Sequence, residues 1–234
     1  MLTEEDKIWL NEKYPNLVYS KEDGISGIVV LNATYNRTSN IFLILGDNIE
    51  NTVGGLQLTG NFNIKIKETD KTLSLLPSLC ISDIETTMDR HINQTPDHRA
   101  CLCSPFVEYI YLTPVFSFKK YFEELVIPFL YGQLFYDKEK RWPWGDLSHG
   151  SIGLLESYYR INDSNKTKEC LERLPKDLQN WSRIKELLLL KNFIKGHTLC
   201  LCGKGNKIRD CHIDAWKGAE LLRQNIKEQK LIIP

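Results

Sequence analysis

A chain of 234 residues, 42% hydrophobic and 26% charged, is long enough to bury a sizeable core in one to two domains. Thirty basic residues against thirty acidic ones leave no net charge, so nothing global favours a nucleic-acid or membrane partner, and recognition must be local. No apolar run approaches the roughly 20 residues that span a bilayer, and Met1 to Asp6 lacks the basic-then-apolar pattern of a signal peptide; the expected location is the cytoplasm.

In chain order, Glu4 to Lys13 reads as a helix, and apolar runs at Gly27 to Thr34, Ile41 to Leu45 and Leu56 to Lys67 read as strands. Val29, Leu31 and Ala33, then Phe62, Ile64 and Ile66, alternate with their neighbours at period two, as half-buried antiparallel strands require. Phe118 to Tyr136 carries apolar residues at helical spacing, with Pro128 expected to kink or restart the helix. Arg141 to Gly150 is a loop rich in Trp, Pro and Gly whose aromatic residues are expected to cover a core. His149 within it reads either as a proton acceptor or as a capping residue. Ile152 to Arg160, Lys166 to Leu174 and Leu178 to Lys195 read as helices, with Asp163 or Ser164 capping the second and Pro175 ending it. Leu187 to Leu190 marks a buried helix face, and residues 214–230 read as an amphipathic helix.

Seven cysteines without an export signal argue against a disulfide framework and for catalysis or metal binding. Cys80 and Cys170 sit singly in apolar or helical patterns and read as small buried hydrophobes. Cys101 follows Asn93 by a fixed loop length in the run from His91 to Cys103. Acyl transfer through cysteine needs a thiolate to attack a carbonyl and a donor to hold the oxyanion, and Cys101 and Asn93 supply these two groups. Cys103 competes as nucleophile, but only Cys101 keeps the spacing to Asn93. His98, three residues before Cys101, would lower its pKa if charged; an exposed loop histidine is the plainer state.

His91, Asn93 and, after seven further residues, Cys101-Leu102 resemble the active-site segment of the ubiquitin-conjugating enzymes, with Ile92 standing where that family has proline. A helix followed by a short meander is similar to the family's opening, and Leu73 to Ile81 to its proline-bearing segment. The resemblance implies an α+β fold with an antiparallel meander flanked by helices over residues 1–160. It implies a cysteine-dependent acyltransferase with Cys101 as thioester acceptor, Asn93 holding the oxyanion and His91 fixing the loop. Asp97 and Asp146 are candidates, by position, to orient the attacking lysine amine. The long helices further resemble the stand-alone conjugating enzymes of short type II CBASS anti-phage systems. In those, the acyl donor is the C-terminus of a cGAS/DncV-like nucleotidyltransferase.

The remaining residues, 161–234, form a helical extension in this reading, with a second cysteine cluster at Cys200, Cys202, Cys211 and His212. Three thiolates and an imidazole suit tetrahedral structural zinc, with Gly203 and Gly205 letting the loop turn back. Four protein ligands fill the shell and leave no site for activated water. Residues 200–212 resemble the SEC-C zinc motif, with Lys204 where serine is usual. Two rival readings share these residues: a conjugating enzyme for a bacterial ubiquitin-like modifier, and an inactive adaptor whose zinc segment binds protein or nucleic acid. A nucleic acid is not the expected partner, and a cysteine hydrolase lacks an assignable His-Asp pair. The terminal Ile-Ile-Pro argues against the chain being a modifier itself.

Overall fold

The computed structural model describes residues 2–45, 51–68, 76–93, 98–103, 107–108, 112, 115–145 and 148–234. The chain divides into two compact units, one of Met1–Cys103 with Glu108–Asp146, the other of Ser104–Val107 with Leu147–Pro234. Each has its own apolar core. Among the described residues, no helix is long and apolar enough to cross a membrane.

The first unit is α+β. Helix α1 (Glu4–Lys13) starts where expected because Thr3 and Asp6 form a reciprocal capping box. The sheet contains β1 (Leu17–Ser20), β2 (Gly24–Asn36), β3 (Ile41–Ile44), β4 (Leu56–Lys67) and β5 (Ser78–Ile81), all pairing antiparallel in the order β1-β2-β4-β5. β4 runs along one edge of β2 from Ile25↔Ile66 to Tyr35↔Leu56, while β1 and β3 pair with opposite ends of β2. Val29, Leu31, Ala33, Phe62, Ile64 and Ile66 all point into the core, so the period-two register fixes the inner face.

Helices α2 (Phe118–Tyr121) and α3 (Ile127–Glu139) are joined by a π turn at Phe122–Val126. Pro128 is the cause: it has no N–H to offer and would clash with the carbonyl four residues earlier, so the chain opens by one residue just before it. The Ile127 N–H bonds the carbonyl of Phe122, five residues back, and the α-helix restarts with Pro128 in its first turn.

The second unit is helical: α4 (Gly150–Ile161), α5 (Thr167–Arg173), α6 (Trp181–Leu188), α7 (Ile208–Cys211) and α8 (Ile213–Glu228), with 3-10 turns at Ser164–Lys166 and Leu174–Lys176. Helix α4 lies against α8, so the division falls after Asp146 and not at residue 160. Gly218 permits this approach, since a Cβ there would sit 2.0 Å from the Leu155 carbonyl oxygen. Asp163 caps the 3-10 turn leading into α5.

Helix α6 is shorter than the apolar pattern suggests. Arg223 and Lys227 of α8 donate to the carbonyls of Leu190 and Lys191, taking over backbone acceptors that a longer helix would use itself. The buried face expected over Leu187 to Leu190 is therefore only half present: Leu187 and Leu188 are buried, Leu189 and Leu190 exposed.

Candidate functional site

Residues 91–93 and 99–101 form a short antiparallel ladder. Ile92 pairs with Ala100, the Cys101 N–H donates to the His91 carbonyl at 2.7 Å, and the Asn93 N–H donates to the Arg99 carbonyl at 2.9 Å. On its other side the second strand meets β5, through the Cys80↔Arg99 bridge and a 2.8 Å bond from the Ala100 N–H to the Leu79 carbonyl. Successive side chains in such a ladder point to opposite faces. Ile92 and Ala100 are buried in the sheet core, so by alternation Asn93, Arg99 and Cys101 share the opposite face. Asn93 and Cys101 are thus diagonal cross-strand neighbours in this ladder.

Ile92 makes a bond that proline could not: its N–H donates to the Thr87 carbonyl at 3.3 Å. His91 takes a left-handed conformation, φ 53°, and its ring meets the Trp142 indole edge-on at 4.7 Å between centroids. Helix α3 holds the preceding 3-10 turn, Met88–Arg90. The fully buried amide of Gln133 clamps Arg90 twice, accepting from its guanidinium at 3.2 Å and donating to its carbonyl at 2.8 Å. Asp137 pairs with the same guanidinium, and the Trp142 indole N–H donates to the Asp89 carbonyl at 2.9 Å. Stripping the Gln133 amide would leave buried groups unpaired at a cost of about 1–3 kcal/mol. The aromatic loop thus supports the His91 turn as well as covering the core.

Burial raises the Cys101 thiol above the ordinary cysteine range, the charge of Arg99 opposes that rise, and Glu108 adds to it. Arg99 and Glu108 form a largely buried ion pair at 4.0 Å. His98 is exposed, with Nδ1 3.1 Å from the Thr86 hydroxyl, so Arg99 is the cation that eases ionisation of Cys101. Cys103 is raised by burial first and by Glu108 second, and it packs against the sheet core.

The sign is testable by alkylation. An ordinary cysteine is about 3% ionised at pH 7. Cys101 is expected to react with iodoacetamide more slowly than that fraction predicts, and to keep gaining rate as pH rises through 9. Arg99→Gln should slow it at pH 8, and Glu108→Gln should speed it, as read by intact mass. A rate already flat by pH 7 would contradict this electrostatic account.

In the second unit, the ligand atoms of Cys200, Cys202, Cys211 and His212 all lie within 4.8 Å of one another and can hold a metal ion. Cys200 Sγ is 3.1 Å from His212 Nδ1, and the Cys202 and Cys211 sulfurs are 3.5 Å apart. Zinc bonds of about 2.3 Å to sulfur and 2.0–2.1 Å to nitrogen give tetrahedral edges of about 3.5–3.8 Å, so the donor set suits such an ion once the ligand separations adjust by up to about 1 Å. A Leu199↔Lys207 bridge closes the hairpin, and Gly203 and Gly205 turn it at φ 75° and 76°. Arg183 anchors it by donating to the carbonyls of Cys200 and Leu201. Burial pushes the Cys200 thiol up to about 12, while the Lys204 backbone N–H pulls Cys202 below its usual value.

His149 occupies the N-cap position of α4, exposed and without a side-chain capping bond. Asp97 and Asp146 lie outside the described residues. Sequence reasoning passed over Arg99, Glu108 and Gln133. Only Gln133 carries a signal, as a lone amide within the largely apolar run from Ile127 to Tyr136. Comparison with family models, curated proteins and solved structures returns no match to this chain.

Proposed function

We propose that the chain is a ubiquitin-conjugating-like acyl carrier, in which Cys101 accepts the C-terminal acyl group of a partner protein and passes it to an amine. The observation that carries this reading is the ladder that sets Asn93 and Cys101 on one face at a fixed register. The Cys101 thiolate attacks an acyl group that arrives activated, as an adenylate or a thioester, and displaces its leaving group. The Asn93 amide then donates to the oxyanion as a lysine amine attacks; the C–S bond breaks, the thiolate leaves, and the amine loses a proton. The acyl donor proposed from the family resemblance is a cGAS/DncV-like nucleotidyltransferase, which would make the enzyme a regulator of anti-phage cyclic-nucleotide signalling in the cytoplasm. In this reading the metal is zinc and purely structural, since four protein ligands leave it no open position.

The test is intact mass spectrometry of the protein co-expressed with a cGAS/DncV-like synthase, for wild type, Cys101→Ala and Cys103→Ala, with and without thiol reductant. The expected adduct equals the synthase minus one water, is lost to reductant, and is missing only from Cys101→Ala. An adduct that survives Cys101→Ala, or no adduct with either the synthase or a ubiquitin-like modifier and its activating enzyme, would sink the reading.

A further inference from the structure

The zero net charge of the chain is the sum of two unlike parts. Residues 147–234 carry sixteen Lys and Arg against ten Asp and Glu, +6, while residues 1–146 carry fourteen against twenty, −6. Nearly all of the positive excess lies within 191–209, which holds Lys191, Lys195, Lys204, Lys207 and Arg209 with no acidic residue, and all five are exposed. Elsewhere in this unit acidic residues are interspersed with the cations, and Arg160 pairs with Asp214, Arg173 with Glu169, Lys168 with Glu172 and Arg223 with Glu220. Of these five cations, and among the described residues, only Arg209 has a carboxylate within 4.0 Å, that of its neighbour Asp210 at 3.5 Å, while the Glu220 carboxylate accepts from the Ile194 N–H.

The metal hairpin gives this segment a fixed face. The Leu199↔Lys207 bridge is flanked by 2.8 Å bonds from the Cys200 N–H to the Asn206 carbonyl and from the Ile208 N–H to the Thr198 carbonyl. Cys200 and Ile208 point into the core, which turns Leu199 and Lys207 to the outside. Lys204 stands at the tip, Leu199 is 58% exposed, and Phe193, between Lys191 and Lys195 in the sequence, is 63% exposed. Three thiolates around a divalent ion would leave one negative charge on the inner side, too little to cancel the outer face.

We propose that this outer face binds single-stranded nucleic acid, with the lysines on the phosphate backbone and Phe193 stacking against a base. Cations without interspersed carboxylates suit a polyphosphate. The exposed aromatic ring favours a strand whose bases are free to stack over a duplex, and a nucleic acid over an acidic protein. The inference stands whether or not Cys101 carries an acyl group.

The test is fluorescence anisotropy of a labelled oligothymidine of about 20 nucleotides with the zinc-loaded full chain. Neutralising about five phosphates predicts a loss of affinity of about 100-fold between about 50 and 200 mM salt. Replacing Lys191, Lys195, Lys204 and Lys207 together by Gln should weaken binding at least about 50-fold. Replacing Lys168, Lys176, Lys217 and Lys230 by Gln removes the same charge elsewhere in the unit and should change it less than about threefold. Phe193→Ala should cost about tenfold. Zinc content and circular dichroism of each variant separate lost binding from lost folding. No saturable binding at low salt, equal loss in both quadruple variants, or displacement by polyglutamate as readily as by unlabelled oligonucleotide would each overturn the proposal, the last by assigning the face to an acidic protein.

Discussion

If Cys200, Cys202, Cys211 and His212 hold zinc as proposed, removing it is expected to unfold the hairpin at 199–211 and to take most of the second unit's cooperativity with it. Cys200, Leu201 and Ile208 are buried in the same core as Ala215, Ala219 and Leu222 of α8, so a hairpin that opens strips one wall from that core. The hairpin itself has one bridge and a few backbone bonds, too little to close a loop containing two glycines in left-handed conformation. At free zinc about 1,000 times the dissociation constant the metal adds about 4 kcal/mol, a large share of the stability of a unit this size. Chelation, or Cys211→Ser, should therefore abolish a stoichiometry of one zinc per chain. It should also lower the second unit's melting temperature by about 10 °C or more. Trp216 is the local reporter, because its indole N–H donates to the Ile194 carbonyl at 2.8 Å beside the hairpin. Its fluorescence should shift on chelation and return with zinc. Acid should act in the same sense as chelator: Cys200 is raised by burial, so protons compete hardest there, and zinc affinity should fall steadily as pH drops. A protein that purifies without metal and melts identically in chelator would show four reduced thiol and imidazole side chains that merely share a turn.

Which parts of this molecule were legible in the sequence follows from how local each determinant is. Helix α1 and strand β4 appear at their expected limits because one carries its own capping box and the other its own alternation. Strand β1 was passed over: four residues, Leu17–Ser20, are too few for a period, and they are strand only because β2 pairs with them. The premature end of α6 is equally non-local, being set by Arg223 and Lys227 some thirty residues later. The same distinction holds at the two sites. Cys200, Cys202, Cys211 and His212 converge as spaced, since a single hairpin brings them together. The main chains of Asn93 and Cys101 lie in one short ladder, because the seven residues between these positions close it. Glu108 was out of reach, since it joins Arg99 through packing that spacing does not encode, and the lone Gln133 amide gives no sign in the sequence that its partner is Arg90. The domain limit moved for a related reason: α4 belongs with α8 through tertiary contact along the helix, a property that its own sequence does not display.

Asn93→Ala is expected to separate the two halves of the proposed reaction. Charging of Cys101 depends on the thiolate and on the activated donor, and the backbone bonds that place Cys101, to His91 and from Ala100 to Leu79, do not involve the Asn93 side chain. The variant should therefore form the Cys101 thioester within about twofold of the wild-type rate. Discharge to lysine is different, because the amine's attack builds an oxyanion that only a positioned donor can hold. Loss of one such donor costs about 10²–10³ in rate. Asn93→Asp keeps the size and backbone but replaces the amide donor with a carboxylate whose charge also repels the oxyanion, so it should be at least as slow as Asn93→Ala. Because the main-chain bond from Asn93 to Arg99 survives both changes, an unchanged melting temperature is expected for each. Single-turnover discharge of preformed thioester onto free lysine, followed on non-reducing gels, reads the step directly. Raising pH should speed discharge in all three proteins by deprotonating the amine, leaving the ratio between them constant if the amide acts on the oxyanion. Equal loss in charging and discharge would instead make Asn93 a residue that shapes the loop. Full discharge in Asn93→Ala would move the oxyanion donor elsewhere on the face shared by Arg99 and Cys101.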